Sequence, residues 1–224
     1  MRSVAVKVAG FLALGAAATA SGAELRGRVL FAEEAPPAKV RKVSKDSFVC
    51  GDQQPDESLV VSKDGGLANV VVSLADAPGD DGPDPPAPVL DKEDCRFVPH
   101  VVVAQVGQKL EMINSDDTFH SAHGRTGEET RFNSAFPERD KRRTVTLHEA
   151  GVVEVGCDAG HDWMRAYVHV FDHPYFTVTK KDGRFALDVP PGHYTLRIWH
   201  ETMGTRRVPV DVGLGGGRVE INFP

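Results

Sequence analysis

The fold prediction begins with residues 156–164, GCDAGHDWM. This stretch lies between Val152 to Val155 and Ala166 to Phe171, two short runs rich in β-branched residues. Such runs favour β-strands, so residues 156–164 are predicted to form a tight loop between two strands. The loop holds a thiol, an imidazole and a thioether within eight residues, which predicts a metal site.

Short strand-like runs separated by turn residues recur along the rest of the chain. No segment after residue 23 keeps apolar residues at helical spacing over three turns, so an all-β fold is predicted. The other predicted strands are Leu25–Phe31, Leu59–Ser62, Asn69–Leu74, Val101–Gln105, Lys109–Ile113, Thr144–Leu147, Tyr175–Thr179, Arg184–Val189, Tyr194–Trp199, Val208–Val212 and Val219–Phe223.

Two stretches are predicted to lack strands. Residues 76–94 are rich in Asp, Gly and Pro, with prolines at 78, 83, 85, 86 and 88, and predict a linker. Residues 124–143 are polar and highly charged, and predict a surface loop that joins two strands.

The first 23 residues resemble a secretory signal peptide. Arg2 and Lys7 supply positive charge before an apolar run from Val8 to Ala20. Ser21-Gly22-Ala23 then supplies small residues at which a signal peptidase could cleave. The apolar run is shorter than the roughly 20 residues that a membrane-spanning helix needs. We therefore predict a periplasmic or secreted protein with no membrane span after signal removal.

The charge balance argues against nucleic-acid binding. The chain has 224 residues, and the part after residue 23 contains 24 basic and 32 acidic side chains, a net charge of −8 with neutral histidines. Such a surface repels phosphate backbones and anionic lipid headgroups. We expect no nucleic-acid partner.

Three cysteines, Cys50, Cys95 and Cys157, are present in a chain predicted to be exported. An oxidising compartment favours disulfides, and an odd count leaves one thiol over. Cys50 and Cys95 flank the Pro-rich region and are predicted to form a disulfide, with two free buried thiols as the alternative. Cys157 is then available as a metal ligand.

Cys157, His161 and Met164 suit copper, because thiolate and thioether favour Cu(I) and imidazole serves both oxidation states. A His₂Cys site with a weak axial Met needs a second imidazole, and His120 follows a predicted strand and turn upstream. His123 is the alternative, as a replacement or a supporting group. The competing interpretation makes Cys157 a buried core thiol and Met164 a core filler.

The chain from about Cys95 to Phe171 resembles the cupredoxins, small blue-copper β-sandwiches such as plastocyanin, amicyanin and azurin. The resemblance rests on Phe97-x-Pro99, Val106-Gly107, Asn114-x-Asp116 ahead of His120, and the Cys-x₃-His-x₂-Met loop. It implies a Greek-key sandwich over residues 95–171 that binds one copper ion through His120, Cys157, His161 and Met164. Two departures are the three residues between Cys157 and His161, where amicyanin-like loops have two, and Ser121, where family members often have Asn.

A second resemblance involves both ends of the chain. Residues 177–187 contain Asp182-Gly183, a hairpin signal, and Pro191-Gly192 marks the following turn. These segments resemble the carboxypeptidase regulatory-like domain, a small transthyretin-like sandwich. Its opening strands are matched within residues 24–75, so we predict one sandwich from 24–75 and 172–224 with the cupredoxin inserted. Simple tandem order is the alternative.

These resemblances imply an exported type 1 copper protein that carries single electrons and is not an enzyme. Its partners would be redox proteins such as c-type cytochromes or dehydrogenases, and the docking surface is predicted where the His161 edge reaches solvent. One alternative is a copper carrier or storage protein, although the chain has only four Met residues. The other is a structural docking module without metal.

Overall fold

The computed structural model describes residues 22–79, 82 and 84–223, so all but the last two residues of the predicted signal peptide lie outside the described residues. The described part contains α1 (Ser47–Cys50) and eighteen strands, and the prediction of an all-β fold is confirmed. No described helix is long and apolar enough to cross a membrane. In chain order the strands are β1 (Ala23–Phe31), β2 (Val40–Lys42), β3 (Gln53–Pro55), β4 (Val71–Leu74), β5 (Val89–Glu93), β6 (Arg96–Val98), β7 (Val101–Gln105), β8 (Lys109–Asn114), β9 (His120–Thr126), β10 (Glu129–Phe136), β11 (Arg142–Thr146), β12 (Gly151–Gly156), β13 (Arg165–Phe171), β14 (Phe176–Val178), β15 (Arg184–Val189), β16 (Gly192–His200), β17 (Gly204–Val212) and β18 (Gly217–Phe223).

One sandwich, here called the terminal sandwich, combines strands from both ends of the chain. Its two sheets have the strand orders β15-β1-β18 and β14-β4-β16-β17. Side chains alternate along β15, so that Phe185, Leu187 and Val189 point into the core while the residues between them are exposed. The alternation explains why these residues form a half-buried strand.

The second sandwich, the central sandwich, is built from β5 to β13. Its sheets have the orders β10-β9-β12-β13-β7 and β11-β8-β5-β6. Leu110 and Met112 of β8 face Val153 and Val155 of β12 within one buried cluster. Because β9 and β12 are neighbours, the ends of both strands come to the same edge of this sandwich.

The two sandwiches share a small apolar contact. Val71 of β4 and Phe176 of β14 form a buried cluster with Val101 of β7 and Phe171 of β13. The rings of Phe171 and Phe176 are stacked with centroids 4.9 Å apart. This contact fixes β13, which follows the predicted metal loop, against the terminal sandwich.

Residues 40–55, here called the cap, lie on the central sandwich and not in the terminal one, where the sequence predicts them. Strands β2 and β3 pair in antiparallel fashion on either side of α1. Val43 and Cys50 are buried in the core of the central sandwich, and Cys50 forms the predicted disulfide with Cys95.

Both stretches that were predicted to lack strands contain strands in the structure. Residues 124–143 contain the end of β9, all of β10 and the start of β11. Polar side chains on these strands face solvent while Phe132 and Phe136 are buried. The predicted linker over 76–94 ends in β5, which pairs with β8 in parallel. Leu90 and Lys92 of β5 are fully buried. The sequence did not predict this strand because the prolines just before it indicated a linker.

The turn at Asp182-Gly183 is present, but the strands beside it belong to different sheets. The Gly183 N–H donates to the Lys180 carbonyl, and β14 and β15 lie in opposite sheets of the terminal sandwich. The turn therefore carries the chain across the core. A hairpin of two long paired strands, as the sequence predicts, does not form.

Replacing Gly183 with Ala should destabilise the terminal sandwich by more than about 2 kcal/mol. Gly183 has φ +76°, and a Cβ there would lie 2.2 Å from the Val29 carbonyl oxygen. The matched control is Gly127→Ala, which has φ +59° but no atom near the new Cβ, and should cost about 1 kcal/mol. Denaturant unfolding curves measure both, and equal losses would contradict this packing.

Candidate metal centre

Three of the predicted ligands come from the start of one strand and from the loop that follows its neighbour. His120 is the first residue of β9, and Cys157 follows the last residue of β12. His161 lies in the loop that connects β12 to β13. Pairing between β9 and β12 brings these positions to one edge of the central sandwich.

The donor atoms of His120, Cys157 and His161 converge, all lying within 4.8 Å of one another. The two Nδ1 atoms are 3.0 Å apart. The Cys157 Sγ lies 3.9 Å from His120 Nδ1 and 3.7 Å from His161 Nδ1. Both rings are completely buried and Cys157 is partly exposed.

Each imidazole is held from its far side by a carboxylate. His120 Nε2 lies 3.0 Å from Asp116 Oδ2, and His161 Nε2 lies 2.8 Å from Asp46 Oδ2. Burial raises the pKa of Asp116, but hydrogen bonds from His120 and from the Cys95 backbone outweigh it and leave the pKa below its ordinary value. The hydrogen bond from His161 lowers the pKa of Asp46 in the same direction.

The charge state of these carboxylates determines what the cluster can bind. An ionised carboxylate can only accept, so each Nε2 carries the proton of its hydrogen bond. A neutral imidazole with that proton presents a lone pair at Nδ1. Two such nitrogens 3.0 Å apart beside a sulfur need a proton or a cation between them. Burial lowers the pKa of His120, but hydrogen bonds with Asp116 and Cys157 outweigh it and raise the pKa, so a proton takes this place when no metal is bound. The donor set therefore fits a metal cation.

Cys157 is set up as a thiolate. Burial raises the pKa of its thiol, but hydrogen bonds from His120, His161 and the Ser121 backbone outweigh this and lower the pKa to about 5. The Ser121 N–H donates to Sγ at 3.3 Å, and the Ser121 hydroxyl accepts from the Asp158 N–H at 2.7 Å. Ser121 thus links the Cys157 sulfur to the backbone of the following loop residue.

Met164 is buried beside the cluster. Its backbone N–H donates to the His161 carbonyl at 3.0 Å, and it lines the same cavity of about 340 Å³ as Cys157 and His161. The neighbouring Trp163 packs against the His161 ring with centroids 5.1 Å apart, and its indole N–H donates to the Cys95 carbonyl. The loop is thereby fixed on both sides of Met164.

His123 lies outside the group of converging donor atoms among the described residues. It stands opposite Gly156 in the β9–β12 ladder. Its Nδ1 lies 2.6 Å from Asp158 Oδ2 and its Nε2 lies 2.9 Å from Thr130 Oγ1. Both ring nitrogens therefore have partners other than the cluster.

The predicted exposure of the His161 edge is wrong. The residue is completely buried because the cap covers it and Asp46 bonds to its Nε2. The sequence-based interpretation missed this carboxylate, although Asp46 lies four residues before Cys50 and the predicted disulfide already brought that segment to Cys95. Exposure at the site is instead on the side of Cys157.

Lys92 is a second residue that the sequence did not reveal. The side chain is fully buried in the central core, and its Nζ lies 3.4 Å from the centroid of the Phe136 ring. Burial lowers the pKa of Lys92 to about 7, while Asp91 and Cys157 act in the opposite direction. A cation here would favour the Cys157 thiolate.

No protein-family model and no curated protein matches the chain. Solved structures similar to part of it include a purple cupredoxin from Nitrosopumilus maritimus, at 19% identity over 37% of this chain and 98% of that chain, with a TM-score of 0.33. Amicyanin from Paracoccus versutus matches at 22% identity over 44% of this chain and 96% of that chain, with a TM-score of 0.34. A copper-containing nitrite reductase from Thermus scotoductus matches at 20% identity over 43% of this chain and 25% of that chain, with a TM-score of 0.33.

Alkylation of Cys157 tests its charge state in protein freed of metal by a chelator. Because the pKa is lowered to about 5, the rate with iodoacetamide should be nearly constant from pH 7 to 9 and fall as the pH drops through about 5. Mass spectrometry measures the rate, and Cys157→Ser shows that no other cysteine reacts. A rate that still rises between pH 7 and 9, as for an ordinary thiol with a pKa of about 8.5, would contradict the assignment.

Proposed function

We propose that this protein is an exported mononuclear copper protein of the type 1 class that carries single electrons between redox partners. The proposal rests on one observation: the imidazole nitrogens of His120 and His161 and the Cys157 sulfur converge within 4.8 Å. Each of these donors is fixed by a further partner. Such a set is more specific than any single Cys or His in the sequence.

The chemistry of the donors favours copper over zinc. Structural zinc sites are completed by four Cys or His ligands, and catalytic ones usually by Cys, His or carboxylates with water. Here the described cluster offers one Cys and two His side chains, and Met164 lines the same cavity as Cys157 and His161. Trigonal His₂Cys sites with a weak axial Met are the blue-copper arrangement.

His120, Cys157 and His161 would hold the ion, with Met164 as the weak fourth ligand. Copper bound there would supply one-electron exchange between Cu(II) and Cu(I). The chain's own contribution is rigidity, since both rings are tied to carboxylates and the Cys157 sulfur accepts from the Ser121 N–H. Donors that do not move between oxidation states suit fast electron transfer.

Partner exchange would take place on the side of Cys157, because the cap covers the His161 edge. The cavity there is lined by side chains of both charges, including Arg125, Arg165, Glu154 and Asp158. We propose a redox protein as the partner, such as a c-type cytochrome or a dehydrogenase. Redox proteins typically exchange electrons in transient complexes that bury little surface area.

Copper carriage without electron transfer is the second candidate. The observation that favours it is the same cavity of about 340 Å³, which gives an ion a way in and out beside Cys157 and Met164. Carriage and electron transfer make different spectroscopic predictions. A blue thiolate-to-copper band requires the constrained His₂Cys set that electron transfer uses.

Addition of Cu(II) to the purified protein should produce an intense visible band from thiolate-to-copper charge transfer. Cys157→Ser should abolish it, because the sulfur donor is lost. The matched control is His123→Ala. His123 lies on β9 with His120 but outside the cluster, so this variant should keep the band. Absorption spectroscopy with a metal assay measures both.

The outcomes separate the candidates. Bound copper without the visible band would contradict electron transfer and favour carriage. No copper binding at all would favour a structural docking module. Loss of the band in His123→Ala, with a folded protein, would show that His123 is the second imidazole.

A further inference from the structure

The cap places a carboxylate against the outer side of a proposed copper ligand. Asp46 Oδ2 lies 2.8 Å from His161 Nε2, and the Thr118 hydroxyl donates to the same oxygen at 3.4 Å. Asp46 directly precedes α1 and has a φ of 54°, in the left-handed region. Its carboxylate makes no capping hydrogen bond to that helix, the usual role of Asp at such a position.

From this contact we propose that Asp46 is a positioning residue that fixes the His161 ring and lowers the reduction potential of the copper site. The proposal rests on the proposed copper-binding function. It adds a residue from outside the loop that carries the ligands. It also gives the cap a chemical role.

The hydrogen bond from Nε2 fixes the orientation of the His161 ring. A ring that donates from Nε2 to a fixed carboxylate has its Nδ1 lone pair aimed in the opposite direction, toward Cys157. His161 lies on a loop, so strand geometry alone does not fix its ring. Partners of this kind around metal ligands typically change metal affinity 10- to 100-fold when they are removed.

Negative charge close to the ion sets the reduction potential. A thiolate ligand at Cys157 contributes one negative charge, and the carboxylates of Asp46 and Asp116, 2.8 and 3.0 Å from the two rings, contribute one each. The site would then carry a net charge of −1 with Cu(II) and −2 with Cu(I). Negative charges close to the ion stabilise its more positive oxidation state, so Asp46 favours Cu(II).

The disulfide joins the segments that hold the two carboxylates. Cys50 lies at the end of α1, four residues after Asp46, and is bonded to Cys95. The Cys95 N–H donates to Asp116 Oδ2 at 2.8 Å, and the Asp94 N–H donates to Asp116 Oδ1 at 2.8 Å. One covalent link therefore ties the partner of His161 to the partner of His120.

Two further contacts hold the cap on the ligand loop. Lys45 Nζ donates to the Ala159 carbonyl at 2.6 Å, and the Ser44 hydroxyl donates to Asp162 at 3.4 Å. Ala159 and Asp162 flank His161 in sequence. The cap thus contacts the backbone on one side of the ligand, a side chain on the other, and the ring itself.

The test compares copper-loaded wild type with Asp46→Asn and with the matched control Asp52→Asn. Asp52 is an exposed carboxylate of the same cap, so its variant removes the same charge without touching a ligand. At a fixed applied potential, Asp46→Asn should lower the Cu(II)/Cu(I) ratio about tenfold, which is about 59 mV for one electron. Asp52→Asn should leave the ratio within twofold of wild type.

A third variant tests the orientation. Asp46→Ala removes the acceptor as well as the charge, so copper should dissociate at least tenfold faster than from wild type, and the visible band should change shape. Asn keeps an acceptor oxygen and should restore most of the retention. Stopped-flow transfer of copper to a chelator measures this difference.

The failures of the two proposals are distinguishable. A wild-type protein without the blue band would overturn the copper function itself. A wild type with the band, but with Asp46→Asn at the same potential as Asp52→Asn, would overturn only the role of Asp46. If both Asp46 variants fail to fold while Asp52→Asn folds, Asp46 belongs to folding and the proposal is also overturned.

Discussion

Two hydrogen bonds from imidazole rings to carboxylates are the constraint on which the site depends. Asp116 and Asp46 accept hydrogen bonds from Nε2 of His120 and His161, so both Nδ1 atoms are left to face the interior of the site. These nitrogens lie beside one another and the Cys157 sulfur. Such a buried group needs a proton or a cation at its centre, and its donors are those that copper prefers.

The architecture brings these groups together from four separate segments. Pairing of β9 with β12 sets His120 near Cys157, and the following loop returns with His161. The Cys50–Cys95 disulfide then adds the cap, whose Asp46 closes the site from outside. The candidate metal site is therefore covered at the His161 ring and partly exposed at Cys157, whereas the sequence predicted exposure at the His161 edge.

The sequence predicted local features better than long-range ones. Alternation and β-branched runs identified the all-β class, and the spacing of Cys157 and His161 pointed to ligands that the structure places together with His120. Strand β10 was not predicted because it lies in a highly charged stretch, and β5 was not predicted because prolines directly precede it. The cover over His161 was missed because it depends on Asp46, which lies 115 residues away in the chain.

Copper K-edge X-ray absorption on the loaded protein tests the central claim most directly. The account predicts a nearest shell of two nitrogen scatterers and one sulfur scatterer, with the sulfur contribution lost when Cys157 is replaced by Ser. A wild-type shell of oxygen and nitrogen alone, with no sulfur near copper, would contradict it.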